Sequence, residues 1–184
     1  MFYSLRYTSG RPVLEHVGSK QVCDEGILVL FLAMHPTQTD TLGMTLSNGD
    51  VCTMSTDPEG LPCTGRELST VFTHSLEAWV LAFHGNTVYS GGDDAVLRLS
   101  HLASTSSLWQ DRKIHAAGVT YILPLSDELV LTGSYDDHIR LLHVPMVGRK
   151  GVLAEEDLGG GVWRLKILEG EAPIALQSGA GGEG

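Results

Sequence analysis

The chain is poor in charge, in aromatic residues and in cysteine, and these shortages narrow what it can be. Only 18% of its 184 residues are charged and 7% are aromatic; 12 Lys and Arg face 22 Asp and Glu, a formal net charge of −10. Phosphate binding needs clustered Lys and Arg, so this balance argues against a nucleic-acid surface and suits a cationic partner instead. The three cysteines, Cys23, Cys52 and Cys63, are odd in number and lack CxxC spacing. They read as reduced thiols packed in the core of a cytoplasmic protein. Met1 to Gly10 holds no apolar run of the kind a secretory leader needs. The longest apolar stretch, Gly26 to Met34, is too short to span a bilayer and reads as a buried strand. No HExxH motif or Cys/His cluster points to zinc, and the adjacent pair Asp93 and Asp94 is poor evidence for calcium, so no metal site is expected. No G-x-S-x-G elbow supports an α/β-hydrolase serine.

What the chain does have is glycine, 22 residues of it, within a composition that is 42% hydrophobic. That mixture suits short strands joined by tight turns better than a helical bundle. Two segments also repeat each other at an offset of about 42 residues, the period of a β-propeller blade. Val88-Tyr89-Ser90-Gly91-Gly92-Asp93-Asp94 aligns with Val130-Leu131-Thr132-Gly133-Ser134-Tyr135-Asp136, and Leu97-Arg98-Leu99 with Ile139-Arg140-Leu141. Each copy is a short apolar strand, a small-residue turn ending in Asp, and a second apolar strand, which is a hairpin signature. One blade cannot bury both of its faces, so the repeat implies a stacked array.

The expected architecture is all-β, a partial propeller of about four blades where roughly seven close a ring of roughly 290 residues. The chain is therefore expected to be a piece of a longer protein, an alternative gene product or half of an assembly. Residues 1–21 read as a strand of an incomplete blade followed by a loop. A first full unit covers 22–55, with strands at Ile27–Ala33, Thr41–Leu46 and Asp50–Met54 and a Ser47-Asn48-Gly49 turn. Thr56–Arg66 is a Pro- and Gly-containing loop. Further units cover 68–102 and 115–145, joined by the polar stretch Ser104–Ser107. After a Gly/Glu-rich turn over Gly148–Gly161, the alternating Val162–Ile167 opens an incomplete unit over 160–176, and 177–184 reads as a disordered tail.

Within the repeat a His precedes the turn Asp by about 20 residues (His74 with Asp94, His115 with Asp136), and a Ser or Thr lies between (Ser90, Thr132). This pattern resembles the polar network of WD-repeat propellers, although Ser100-His101 and Leu142-His143 stand where Trp-Asp is expected. Four motifs in order sharpen the resemblance: Leu76–Phe83, Val88–Asp94, Leu131–Ile139 and Gly160–Lys166. Together they resemble the central blades of the diphthine methyltransferase family, WD-repeat proteins of the diphthamide pathway that act, despite the name, as methylesterases. The resemblance covers roughly Leu42 to Ile167. It implies hydrolysis of the methyl ester of diphthine methyl ester on translation elongation factor 2, with no cofactor. The side chain being processed is a modified histidine bearing a trimethylammonium group.

In a WD-type blade the residue before the turn Asp and the start of the inner strand face the top rim. Asp93 and Tyr135 hold the first position; Glu77, Trp79 and Trp163 lie near the second. A quaternary ammonium binds over aromatic faces and beside carboxylates, so these five are candidates for its cage. The alternative for both Trp residues is packing between blades. His138 has no place in the generic network, and imidazole transfers protons at neutral pH, so His138 with Asp93 or Asp137 is the candidate base on a water. A surface histidine opening a strand is the plainer alternative. His74, His115, Asp94 and Asp136 read as structural. A propeller of this kind can also serve as a non-catalytic interaction scaffold.

Overall fold

The computed structural model describes residues 2–19, 21–57, 68–102 and 107–168. Cys63, most of the expected 56–66 loop and 104–107 connector, the end of the 160–176 unit and the 177–184 tail lie outside these residues. Every element among the described residues is a strand, and none is a helix long and apolar enough to cross a membrane.

The first two strands, β1 (Phe2–Thr8) and β2 (Arg11–Gly18), form a hairpin of their own. Three four-stranded antiparallel meanders follow. The first contains β3 (Val29–Met34), β4 (Thr41–Leu46), β5 (Asp50–Ser55) and β6 (Ser69–Thr73). The second contains β7 (Ala78–His84), β8 (Thr87–Gly92), β9 (Leu97–His101) and β10 (Ser107–Asp111). The third contains β11 (Val119–Pro124), β12 (Leu129–Ser134), β13 (His138–His143) and β14 (Gly151–Asp157). The inner strands stack in sequence order, β7 against β3 and β4, β11 against β7 and β8. This is part of a WD-repeat β-propeller.

The same local chemistry builds each blade. The turn residue's side-chain oxygen accepts the main-chain N–H two residues on: Asn48 from Asp50 at 3.1 Å, Asp94 from Val96 at 3.1 Å and Asp136 from His138 at 3.2 Å. These Asx turns cap the hairpin between second and third strands. The residue before each one ties back to the inner strand: Ser47, Asp93 and Tyr135 donate their N–H groups to the carbonyls of Leu28, Glu77 and Gly118, each at 2.9 Å. Sequence repeat thus becomes a structural repeat, with Asp93 and Tyr135 at equivalent positions of successive blades.

Apolar residues facing the neighbouring blade hold the array together. Val80, Tyr89, Leu97 and Leu99 of the second blade meet Val119, Ile122, Val130 and Leu142 of the third. Val51, Val71 and Phe72 of the first meet Ala78, Leu81 and Val88 of the second. Burying such a side chain contributes about 1.5–3 kcal/mol. The approach is close: a methyl group on Gly91 would lie 2.4 Å from Val119 Cβ, and one on Gly133 would lie 2.6 Å from Val162 Cγ1.

Several segments differ from the sequence expectation: β2 falls in residues read as a loop, β3 is largely exposed where Gly26–Met34 reads as a buried strand, and β6, at the start of the expected 68–102 unit, pairs with β5 of the first blade. The Gly148–Gly161 stretch, read as a turn, contains β14, whose side chains are exposed almost throughout and so show no apolar period. Residues 161–168, whose alternation predicts a strand, pair in no sheet. Val162 donates its N–H to Ser134 O, and its own carbonyl accepts the Thr120 hydroxyl, so the segment lies against the third blade. An opening strand needs a second strand beside it to form a ladder, and none follows within the described residues.

Candidate functional site

Beneath the rim, blades two and three resolve their His/Asp pairs differently. His74 Nδ1 donates to Asp94 Oδ1 at 2.9 Å, and its Nε2 meets the Ser90 hydroxyl at 2.7 Å, all three side chains lying inside the blade. Burial would push the Asp94 carboxyl up, but the His74 ring and the N–H groups of Ser75 and Val96 outweigh it and hold it down at about 2. The network closes without a Trp.

In the third blade an arginine intervenes. Arg140, only 6% exposed, places Nη1 2.9 Å from both oxygens of Asp136 and Nε 3.1 Å from Glu155. Asp136 also accepts the N–H of Ala116 at 2.8 Å; against the upward push of burial, Arg140 and these backbone donors hold it down at about 2. His115 therefore meets Thr132 through Nε2 at 3.0 Å, while its Nδ1 is buried with no partner among the described residues. Burial first, and then the Arg140 charge, lower the His115 pKa to about 4.

That difference has a measurable consequence. A buried histidine kept neutral contributes stability above its unfolded pKa of about 6.5, and loses it as pH falls from about 6.5 toward about 4. The penalty reaches about 3 kcal/mol at the lower end. Urea melts at pH 7 and pH 4 are expected to show that loss, and His115→Gln is expected to remove most of it. Equal slopes in both proteins would show that His115 is not the group responsible.

The rim above these networks carries the aromatic candidates, and the fold brings them together. Trp79 and Trp163 have ring centroids 6.4 Å apart with planes 33° to each other. Tyr135 meets Trp163 edge-on, at 5.5 Å and 77°. Trp79 Nε1 donates to Glu77 Oε2 at 3.1 Å, so a carboxylate stands against the cluster. Trp163 is 60% exposed and Tyr135 55%, so Trp163 is not wedged between blades; Trp79 is half-buried, its ring resting on Gly118 of the next blade. Asp93 is exposed and joined to the group through its N–H bond to the Glu77 carbonyl.

His138 opens β13, three residues beyond Tyr135 and across the same turn. Its Nδ1 donates to the Asp136 carbonyl at 2.6 Å and lies 3.7 Å from Asp136 Oδ1. The carboxylate that meets this ring is thus Asp136, not Asp93 or Asp137. Asp137 adopts φ 70° to close the turn, and its carbonyl accepts the Leu158 N–H, so its place is set by the backbone. With Nδ1 carrying the proton, Nε2 is the free basic nitrogen, and it has no hydrogen-bond partner among the described residues. Arg140 stands in the repeat aligned with Arg98, but that alignment alone assigns it no partner.

Cys52 is a core thiol, pushed up to about 11 by burial with the Thr70 hydroxyl opposing, which keeps it in the unreactive thiol form at neutral pH. No group of three or more His, Cys, Asp or Glu among the described residues could hold a metal ion.

No family model matches the chain. Curated relatives do. The diphthine methyltransferase of Schizosaccharomyces pombe is 32% identical over 155 residues, 81% of this chain and 45% of that one. That of Saccharomyces cerevisiae is 34% identical over 122 residues (55% and 30%), and that of Homo sapiens 40% over 98 residues (50% and 21%). The chain spans less than half the length of these relatives. Among solved structures, the computationally designed Ika8 protein superposes with a TM-score of 0.61 at 17% identity, over 77% of this chain and 40% of its own. The WD40 repeats of RRP9 give 0.55 at 13%, over 67% and 37%. At such identities the structural likeness speaks for the fold alone. The relatives add the family likeness: over the part of their length that it spans, this chain is homologous to the diphthine methyltransferases.

Proposed function

We propose that the chain works in diphthamide biosynthesis, as a carboxylic ester hydrolase that removes the methyl group from diphthine methyl ester on translation elongation factor 2. The observation that carries this reading is the cluster of Trp79, Tyr135 and Trp163 beside the Glu77 carboxylate, on the rim that also bears His138. A trimethylammonium cannot donate a hydrogen bond, so it is recognised by aromatic faces and by charge, and this cluster offers both. The relatives' name, diphthine methyltransferase, supports diphthine as the group recognised. A cytoplasmic location follows from a substrate that works in translation.

In the proposed reaction His138 Nε2 takes a proton from water as the water oxygen bonds to the ester carbonyl carbon. The tetrahedral intermediate then expels the methoxy group, which takes up a proton and leaves as methanol, with the carboxylate remaining on the elongation factor. Asp136 fixes the ring through its carbonyl, and Asp93 and Asp137 border the same rim as acidic neighbours. No cofactor enters this scheme.

The test is methanol release from elongation factor 2 carrying diphthine methyl ester. Trp163→Ala is expected to raise KM about tenfold with a smaller effect on kcat, because the lost contact binds the ammonium and not the reacting carbonyl. No methanol from the parent chain, with the elongation factor still retained in a pull-down, would instead support a non-catalytic docking module. The half-length match to the relatives is what keeps that second reading in view.

A further inference from the structure

We infer that Gly118 and Gly161 are positioning residues that set the aromatic walls of this rim, an inference that rests on the cage reading above. The six-membered ring of Trp79 lies directly on Gly118 of the next blade. A methyl group built there would stand 2.3 Å from Trp79 Cζ3, 2.9 Å from Cη2 and 3.0 Å from Cε3. The indole cannot simply withdraw, because its Nε1 is held by Glu77 at 3.1 Å. The same glycine anchors the second wall through its backbone: its carbonyl accepts the Tyr135 N–H at 2.9 Å and the Ser134 hydroxyl at 3.1 Å. One residue therefore fixes Trp79 by contact and Tyr135 by hydrogen bond.

Gly161 repeats the arrangement one blade further on. A methyl group there would lie 3.2 Å and 3.5 Å from Tyr135 Cδ2 and Cε2, and 3.7 Å from Trp163 Nε1. Its neighbour Gly160 has open space at the same distance range. Neither Gly118 nor Gly161 is among the positive-φ glycines, so the backbone does not demand glycine at either position. The demand comes from the rings. Seated on these two floors, Trp79 and Trp163 lie 33° apart and Tyr135 stands at 77° to Trp163, so the three rings form a corner and not a parallel stack. Cation–π attraction is confined to about 6 Å from a ring centroid, so a ring lifted by a methyl group loses much of it.

Tetramethylammonium chloride is the probe, titrated into the full chain while tryptophan fluorescence is followed, with sodium chloride at equal ionic strength as the blank. Gly118→Ala is expected to weaken binding about tenfold, and Gly161→Ala about threefold, at melting temperatures close to that of the parent. Gly160→Ala is expected to bind like the parent. In a Trp79→Phe background, which lacks the atoms that collide, Gly118→Ala is expected to add little further loss; a merely structural role would give the same loss in both backgrounds. Should Gly118→Ala fail to fold, Gly161→Ala decides the matter. If the parent binds and both alanine variants bind equally well, the positioning role is wrong while the cage stands. If the parent shows no response beyond the sodium blank, the cage reading itself falls and this inference with it.

Discussion

Asp94→Ala is expected to destabilise the chain by about 3–5 kcal/mol, read as a shift in the urea midpoint at pH 7 with the slope unchanged. The carboxylate is nearly inaccessible and makes bonds to the His74 ring, to Ser75 and to Val96. Its removal leaves a buried imidazole and two main-chain donors without their acceptor, and an orphaned buried group costs more than the bond itself contributes. The pH signature follows from the depressed carboxyl. A carboxyl near 2 in the folded state and about 3.9 when unfolded contributes stability above about pH 4 and loses it as pH falls toward 2. The variant should therefore lose less than the parent over that window. Asn48→Ala, at the equivalent turn of the first blade, provides the contrast. Asn48 is exposed and among the described residues its side chain bonds only to Asp50, so its loss is expected to cost about 1 kcal/mol. Equal costs at the two turns would mean that the His74 network adds nothing beyond the turn.

Those turns are also where the sequence is most informative. The Asp or Asn that closes each hairpin and the apolar strands on either side are legible, because the turn chemistry and the burial of second and third strands leave a composition mark. β4 was anticipated at its observed limits of Thr41–Leu46, and β5 within one residue. Outer strands are hard to read for the opposite reason. β14 and β2 expose nearly every side chain, so their sequence is set by solubility and not by a packing period. The aromatic rim was reachable because the repeat places Trp79, Tyr135 and Trp163 at top positions of consecutive units, and consecutive units are neighbours in a propeller. The partner of His138 was not reachable. Whether Asp93, Asp136 or Asp137 meets the imidazole depends on the positive φ at Asp137, a backbone choice that Asp tolerates without announcing it. The burial of Arg140 is not legible in the repeat, because a lone Arg in a strand is ordinarily exposed. Here Asp136 and Glu155 compensate its burial, and the outer strand that supplies Glu155 was itself missed.

His138→Ala is expected to lower kcat for methanol release by a factor of about 10²–10⁴, the range for removing a positioned general base. KM should move little, since in the proposed reaction the ring takes a proton from the attacking water and does not hold the trimethylammonium. The fold should survive, because the side chain is about one-third exposed and its strand is held by backbone pairing to β12 and β14. His138→Gln separates proton transfer from packing: it fills the space and can still donate to the Asp136 carbonyl, but it lacks a basic nitrogen, so its rate should fall as far as that of the alanine variant. Asp136 then tests the orientation of the ring. The imidazole bonds to the main-chain oxygen of Asp136, so Asp136→Asn should leave that contact in place and reduce kcat far less than either His138 variant, while weakening the grip of Arg140 on the turn. If His138→Gln hydrolyses the ester at the parental rate, the water is activated by another group, and the exposed carboxylate of Asp93 is the next to be replaced.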